Sequence, residues 1–167
     1  MTHEENIFNE IALDLKSKIP WLDNCYGLTE KLDIKVNDKK ESIPALIINN
    51  NRHIDLSPNS SNKNYSFFAV TKRTVESYSA IIKSILECSC VFWLDTTGLS
   101  NDFLTDAQKY FTFKKFLRLS SVTMKEIDNV TPFKDYSVKH EENRYMMQPY
   151  KSFRIDFELT YSTNKNC

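Results

Sequence analysis

The feature that most constrains the fold is the regular alternation of side chains in residues 151–162, KSFRIDFELTYS. A β-strand points successive side chains to opposite faces, so this segment separates into an apolar face and a polar face. The apolar positions are Phe153, Ile155, Phe157, Leu159 and Tyr161, and the polar positions are Ser152, Arg154, Asp156, Glu158 and Thr160. The apolar face must be buried in a core, whereas the polar face is expected to meet water or a partner.

A helix is predicted near the start of the chain, at about residues 4–18. Thr2 and Glu5 have the spacing of a capping box, acidic residues fill the first turn and lysines fill the last. An apolar stripe at helical spacing follows, and Pro20 ends the segment. The stripe consists of Ile7, Phe8, Ile11, Leu15 and Ile19.

Further strands are predicted from alternating or wholly apolar runs. Residues 31–36 alternate, and IPALIIN at 43–49 is the returning strand across a polar loop, NDKKES, at 37–42. Residues 49–64 are expected to form a loop apart from a short strand, HIDL. SFFAV at 66–70 is another strand, and VFWLD at 91–95 is too apolar for an exposed edge, so we place it centrally in a sheet.

A second helix is predicted from the capping box of Thr105 and Gln108 and the broad apolar face that extends to about residue 119. Residues 73–87 fit either a helix or a strand. The pattern therefore predicts a single α+β domain over residues 1–167. Its mainly antiparallel sheet has about five or six strands, packed by two helices or by three if residues 73–87 are helical.

Composition and motif searches give little reason to expect enzymatic chemistry. The chain has 22 basic and 22 acidic residues, which does not favour nucleic acid or an anionic membrane as the main partner. Two glycines cannot supply the loops that cradle phosphate. Aromatic and basic residues interleave in RYMMQPYKSFR at 144–154, but strand alternation favours a core role for those rings, so we expect no sequence-specific nucleic-acid recognition.

No metal site or cofactor is predicted, and the cysteines are expected to be free thiols. The three histidines are isolated, and the four cysteines supply no second pair for a tetrahedral zinc site. The N-terminal residues lack the features of a secretory signal, and no apolar run approaches the roughly 18 to 20 residues that span a bilayer. We therefore expect a soluble protein, made in the cytoplasm, without membrane association.

Asp95 is the strongest candidate for a catalytic residue, because VFWLDTTGLSND at 91–102 presents it at the end of an apolar strand. The aspartate-based phosphotransferases place a second acid two residues later, where this chain has Thr97. An aspartic protease needs Asp-Thr-Gly, which an inserted threonine interrupts here. We therefore predict that Asp95 forms a turn before Gly98 and keep a small hydrolase as the alternative.

The order of these segments resembles small ring-forming virion proteins of tailed phages and prophages of gut Bacteroidetes. These are tail terminators or head-to-tail connector components. The resemblance covers nearly the whole chain and is most specific at VFWLD (91–95), YS (136–137) and PYKSFRI (149–155). The other segments are IPWLDNCYG (19–27), IPALIIN (43–49), NYSFFAV (64–70) and YMMQPYKSFRIDFELTY (145–161).

The resemblance implies a non-enzymatic structural protein of the virion, made in the bacterial cytoplasm and assembled as a homo-oligomeric ring beside portal, connector or tail proteins. A ring needs a repeating interface. We expect it on the polar face of the last strand and on the loops at 37–42 and 49–64, with the contact residues Arg154, Asp156, Glu158, Lys39, Lys40, Arg52 and His53. A monomeric binding or adaptor module is the alternative.

Overall fold

The computed structural model describes residues 2–49, 52–58, 63–100, 102–113, 119–125, 131–137 and 149–164. These residues form two α-helices and eight strands, which confirms the α+β prediction. In chain order they are α1 (His3–Lys18), β1 (Asn24–Leu28), β2 (Glu30–Val36), β3 (Lys39–Asn49), β4 (Arg52–Asp55), β5 (Tyr65–Ser77), β6 (Ile81–Asp95), α2 (Phe103–Phe113), β7 (Leu119–Lys125), a 3₁₀ turn (Thr131–Phe133) and β8 (Tyr150–Asn164).

Helix α1 begins as predicted. The Thr2 hydroxyl accepts the Glu5 N–H at 3.2 Å, and the Glu5 carboxylate accepts the Thr2 N–H, which completes the capping box. Every residue of the predicted apolar stripe is buried. Helices α1 and α2 contribute to the same core, and the Tyr110 hydroxyl of α2 donates to the Asp14 carboxylate of α1 at 2.7 Å.

The strands form two sheets. The larger has the order β1-β5-β6-β8-β7, with β1 parallel to β5 and every other neighbour antiparallel. Its middle strand is β6, which confirms the central position predicted for residues 91–95. The smaller sheet has the antiparallel order β2-β3-β4.

Each face of the larger sheet has its own core. One face packs against α1 and α2 and includes the predicted apolar face of β8, all of which is buried. The opposite face buries Tyr65, Phe67, Val91 and Trp93 beneath Leu56 and Phe133, with partly buried residues of β3 and β4 alongside. The polar face of β8 therefore belongs to this second face of the larger sheet, on the side where the smaller sheet and the 3₁₀ turn form a second layer.

Three predictions of local structure were wrong or too broad. Helix α2 begins at Phe103 and includes Thr105, so Thr105 does not cap it, and the predicted helix end near residue 119 is wrong because Leu119 begins β7. The loop predicted at 37–42 is confined to Asn37 and Asp38. Both have a positive φ, of 50° and 61°, as a tight hairpin turn of type I′ requires.

The ambiguous residues 73–87 belong to the long antiparallel hairpin of β5 and β6, not to a helix. The N–H of Tyr78 donates to the Ile81 carbonyl at 2.8 Å and closes its turn. Strand β8 pairs along the whole of β6 as far as Asn164 opposite Ile81. This long-range pairing determines the strand conformation, because the apolar spacing alone permits either structure.

Candidate functional site

Asp95 ends β6 and organises the turn that follows it. Its Oδ1 accepts the Thr97 N–H at 3.0 Å, and its Oδ2 accepts the Lys63 ammonium at 2.8 Å. The Asp95 N–H donates to the Asn64 side chain at 3.0 Å. Gly98 continues the turn with a φ of 78°, in the region that favours glycine. The turn predicted at Asp95 is therefore confirmed.

The same contacts determine the charge of Asp95. The hydrogen bond from Lys63, followed by those from Thr97, lowers the pKa of Asp95 from 3.8 to about 2. A carboxylate with this pKa is ionised at neutral pH and is a weak general base, because effective bases have pKa values near the working pH. Both oxygen atoms are also engaged. These contacts give Asp95 a structural role in the turn.

The thiols are poorly suited to nucleophilic chemistry. Cys25, Cys88 and Cys90 are free, and Cys167 lies outside the described residues. Burial raises the pKa of Cys25 and of Cys88 to about 12 and raises that of Cys90 well above its usual value. Thiols with such pKa values are almost wholly protonated at neutral pH and react slowly. Within the described ranges, no group of three or more His, Cys, Asp or Glu side chains could hold a metal ion.

Arg154 is buried within its own chain, so the expectation that this side chain meets water or a partner is wrong. Its side chain is 3% exposed, and its guanidinium donates to Asp156 at 2.6 Å and to Asp135 at 2.5 Å. Asp135 follows the 3₁₀ turn, which a pair of hydrogen bonds between Ser137 and Ser42 of β3 attaches to the smaller sheet. Arg154 therefore joins the two layers and is not available for direct contact with a partner. Its neighbours Asp156 and Glu158 are half-buried.

The other predicted interface residues do not form one surface. Lys39 and Lys40 are exposed at the start of β3, where Lys40 pairs with Asp33 at 2.8 Å. Arg52 and His53 are exposed on β4, beside the far end of β3. Strand β3 has 11 residues, and a rise of about 3.3 Å per residue separates its ends by roughly 30 Å. Lys39–Lys40 and Arg52–His53 could therefore belong to one interface only if that interface spanned the length of β3.

The surface that sequence reasoning missed is the outer end of the β5–β6 hairpin. Val75 is 56% exposed, Tyr78 is 55% exposed and Ile81 is 43% exposed. Nearly every residue from 71 to 80 is exposed, so the hairpin projects from the domain. These three apolar residues all lie within residues 73–87. Without the pairing of β6 to β8, their spacing could be assigned equally to the buried stripe of a helix.

The same hairpin has an open backbone edge. Strand β1 pairs with β5 only as far as Phe68. Beyond that residue, the outer side of β5 has no strand neighbour among the described parts of the chain. An open edge presents unpaired N–H and C=O groups to which another strand can bond.

The described helices are all too short or too polar to cross a membrane. No protein-family model and no curated protein matches the sequence. Any functional assignment is therefore a proposal that depends on the surface of the described residues.

Proposed function

We propose that this protein is a non-enzymatic structural component of a tailed-phage particle. Its copies assemble into a homo-oligomeric ring at or near the head-to-tail junction, as a tail terminator or a connector. The chain is made in the host bacterial cytoplasm and becomes part of the virion, where its neighbours are portal, connector or tail proteins. The resemblance of its segments to such proteins and the apolar end of its hairpin support this proposal.

The observation that carries the proposal is a set of exposed apolar side chains on a projecting hairpin, where Tyr78 and Ile81 lie beside each other and Val75 lies on the opposite face. Isolated exposed apolar residues are common on monomers, but a group on one protrusion is typical of an interaction site. Full burial of a large apolar side chain contributes about 1.5–3 kcal/mol. Covering Tyr78 and Ile81, which are 55% and 43% exposed, would therefore contribute a few kcal/mol to the contact with a neighbouring subunit.

The charge balance is compatible with a ring through which DNA passes. Equal numbers of acidic and basic residues give the chain no net attraction for phosphate. The long hairpin supplies reach, because the exposed part of β5 extends beyond the residues that pack on α1 and α2. A projecting element of this kind can reach the next copy in a ring.

A pair of substitutions at the hairpin tests the proposal. Tyr78→Ser combined with Ile81→Ser should shift the protein from closed oligomers to monomers in sedimentation velocity, with little change in the unfolding midpoint because both side chains are exposed. Leu13→Ser is the matched control, since Leu13 is 73% exposed on α1, away from the hairpin. It should assemble like the wild type.

Assembly of the double variant with wild-type strength would show that the hairpin is not the ring interface. A wild-type chain that stays monomeric but binds a portal or tail protein would instead support the adaptor alternative.

A further inference from the structure

The backbone of the open β5 edge has a defined pattern of available groups. Lys72–Ser77 pairs without interruption with Glu87–Ile82 of β6. The Tyr78 N–H points inward to β6, and antiparallel strands alternate the direction of their backbone groups. The N–H and C=O groups of Lys72, Thr74 and Glu76 therefore also point inward. Those of Arg73 and Val75 point outward, where none of the described strands receives them.

Charged side chains often block the edge strands of sheets, but here they are held over the sheet faces. The Lys72 ammonium lies 2.8 Å from the Glu87 carboxylate on the neighbouring strand, and the Arg73 guanidinium pairs with Glu4 of α1. Both contacts draw the charges back towards their own subunit. Among the described residues, these two charged side chains therefore do not cover the outward backbone groups of the edge.

Two ion pairs on one face of the hairpin have opposite polarity. Lys72 on β5 faces Glu87 on β6, whereas Glu76 on β5 faces Lys83 on β6 at 3.4 Å. Lys72 and Glu76 are four residues apart, so their side chains lie on the same face of the strand. The edge consequently carries a positive and a negative position placed symmetrically about Thr74.

We propose that β5 of one copy pairs antiparallel with β5 of a second copy about a two-fold axis through Thr74. Each Lys72 then lies opposite Glu76 of the other copy, and each Arg73 exchanges backbone hydrogen bonds with the other Val75. Across the joined sheets the charges then alternate in sign, from Glu87 and Lys72 of one copy to Glu76 and Lys83 of the other. A parallel, in-register contact would instead oppose Lys72 to Lys72, so complementarity selects the antiparallel arrangement.

This contact is distinct from the proposed ring and does not depend on it. A two-fold contact closes on itself and joins two free subunits or two facing rings, whereas a ring closes through head-to-tail contacts. The two proposals can be refuted separately, because the ring is tested with substitutions at Tyr78 and Ile81 and the two-fold contact with substitutions on the edge of β5.

A mixing experiment tests the predicted register. In the proposed dimer, position 72 of each copy faces position 76 of the other. Lys72→Glu alone therefore places two glutamates opposite each other at both ends of the contact. Glu76→Lys alone places two lysines opposite each other at both ends. Each variant should therefore form the two-fold dimer about tenfold more weakly than the wild type. In an equimolar mixture, the glutamate introduced at position 72 of the first variant meets the lysine introduced at position 76 of the second, and the remaining end keeps its wild-type pair. Dimer formation measured by sedimentation should then return to the wild-type level.

A second variant tests the backbone contact. Val75→Pro removes one outward N–H and no bond to β6, so the chain should fold normally, which circular dichroism checks, and should lose the dimer. Val75→Ala keeps the N–H and should retain it. The proposal is overturned if the wild type forms no such dimer at concentrations approaching roughly 1 mM, the scale of weak specific contacts. It is equally overturned if Val75→Pro dimerises like the wild type, or if the mixed charge variants show no recovery.

Discussion

Charge reversal at Arg154 should strongly destabilise the fold, although the polar face of a strand would suggest a tolerant position. Its guanidinium is buried between Asp135 and Asp156. Arg154→Glu removes both ion pairs and places a third carboxylate beside two others. Breaking a buried ion pair costs about 3–5 kcal/mol. That is a large share of the roughly 5–15 kcal/mol that stabilises a domain.

A second substitution separates the effect of charge on the unfolding free energy from the effect of packing. Arg154→Met keeps an unbranched apolar stem and leaves the two aspartates without their cation. Because the Asp135 side chain is 41% exposed and that of Asp156 is 25% exposed, water recovers part of the loss. We expect Arg154→Met to cost about 1–3 kcal/mol, less than Arg154→Glu.

Thermal unfolding followed by circular dichroism measures both effects. For a domain of this size, 1 kcal/mol corresponds to about 2–4 °C, so Arg154→Glu should lower the midpoint by roughly 6–20 °C. Lys40→Glu is the control, since it reverses a charge in an ion pair whose side chains are 72% and 45% exposed. Such surface pairs contribute about 0–1 kcal/mol. A midpoint for Arg154→Glu equal to that of the control would refute the role of Arg154 between the layers.

The cores and the titrating groups give three further predictions. Phe157→Ala should cost about 3–5 kcal/mol in urea unfolding, because Phe157 is buried against Phe68 and Phe111, whereas Ser162→Ala on the exposed part of the same strand should cost little. The folded pKa of Asp95 lies below its unfolded value of about 3.9, so its contribution to stability is present above pH 4 and is lost as the pH falls towards 2. Asp95→Asn should therefore reduce the loss of stability over that pH range, and an unchanged acid profile would contradict the Lys63 contact. In a Cys167→Ser background, a thiol reagent at pH 8 should label the native protein slowly and the urea-unfolded protein fully. Rapid native labelling would contradict the burial of Cys88 and Cys90 and the raised pKa of the partly buried Cys25.

The elements that could be predicted from the sequence are those encoded by local pattern. The capping box and stripe of α1, the alternation of β8 and the apolar run of β6 each specify a structure within a few residues. The turn at Asp95 is similar, because an aspartate that accepts the N–H two residues later is a local contact. These elements determine the α+β class and the core that packs on the helices.

The remaining features depend on contacts between distant parts of the chain. Arg154 looks exposed from its strand pattern, and only Asp135 and the smaller sheet, which cover that face, make it internal. Residues 73–87 become a hairpin because β8, about 80 residues later, pairs along β6. The position of an interface is harder still, since the hairpin tip becomes a surface feature only after the rest of the chain has packed.

Native mass spectrometry of the wild-type protein, at several concentrations and with and without portal or tail proteins, tests the central claim most directly. The account predicts a closed oligomer of one stoichiometry, or its appearance when those partners are added. A chain that remains exclusively monomeric under all of these conditions, with no bound partner, would contradict the assignment as a phage ring protein.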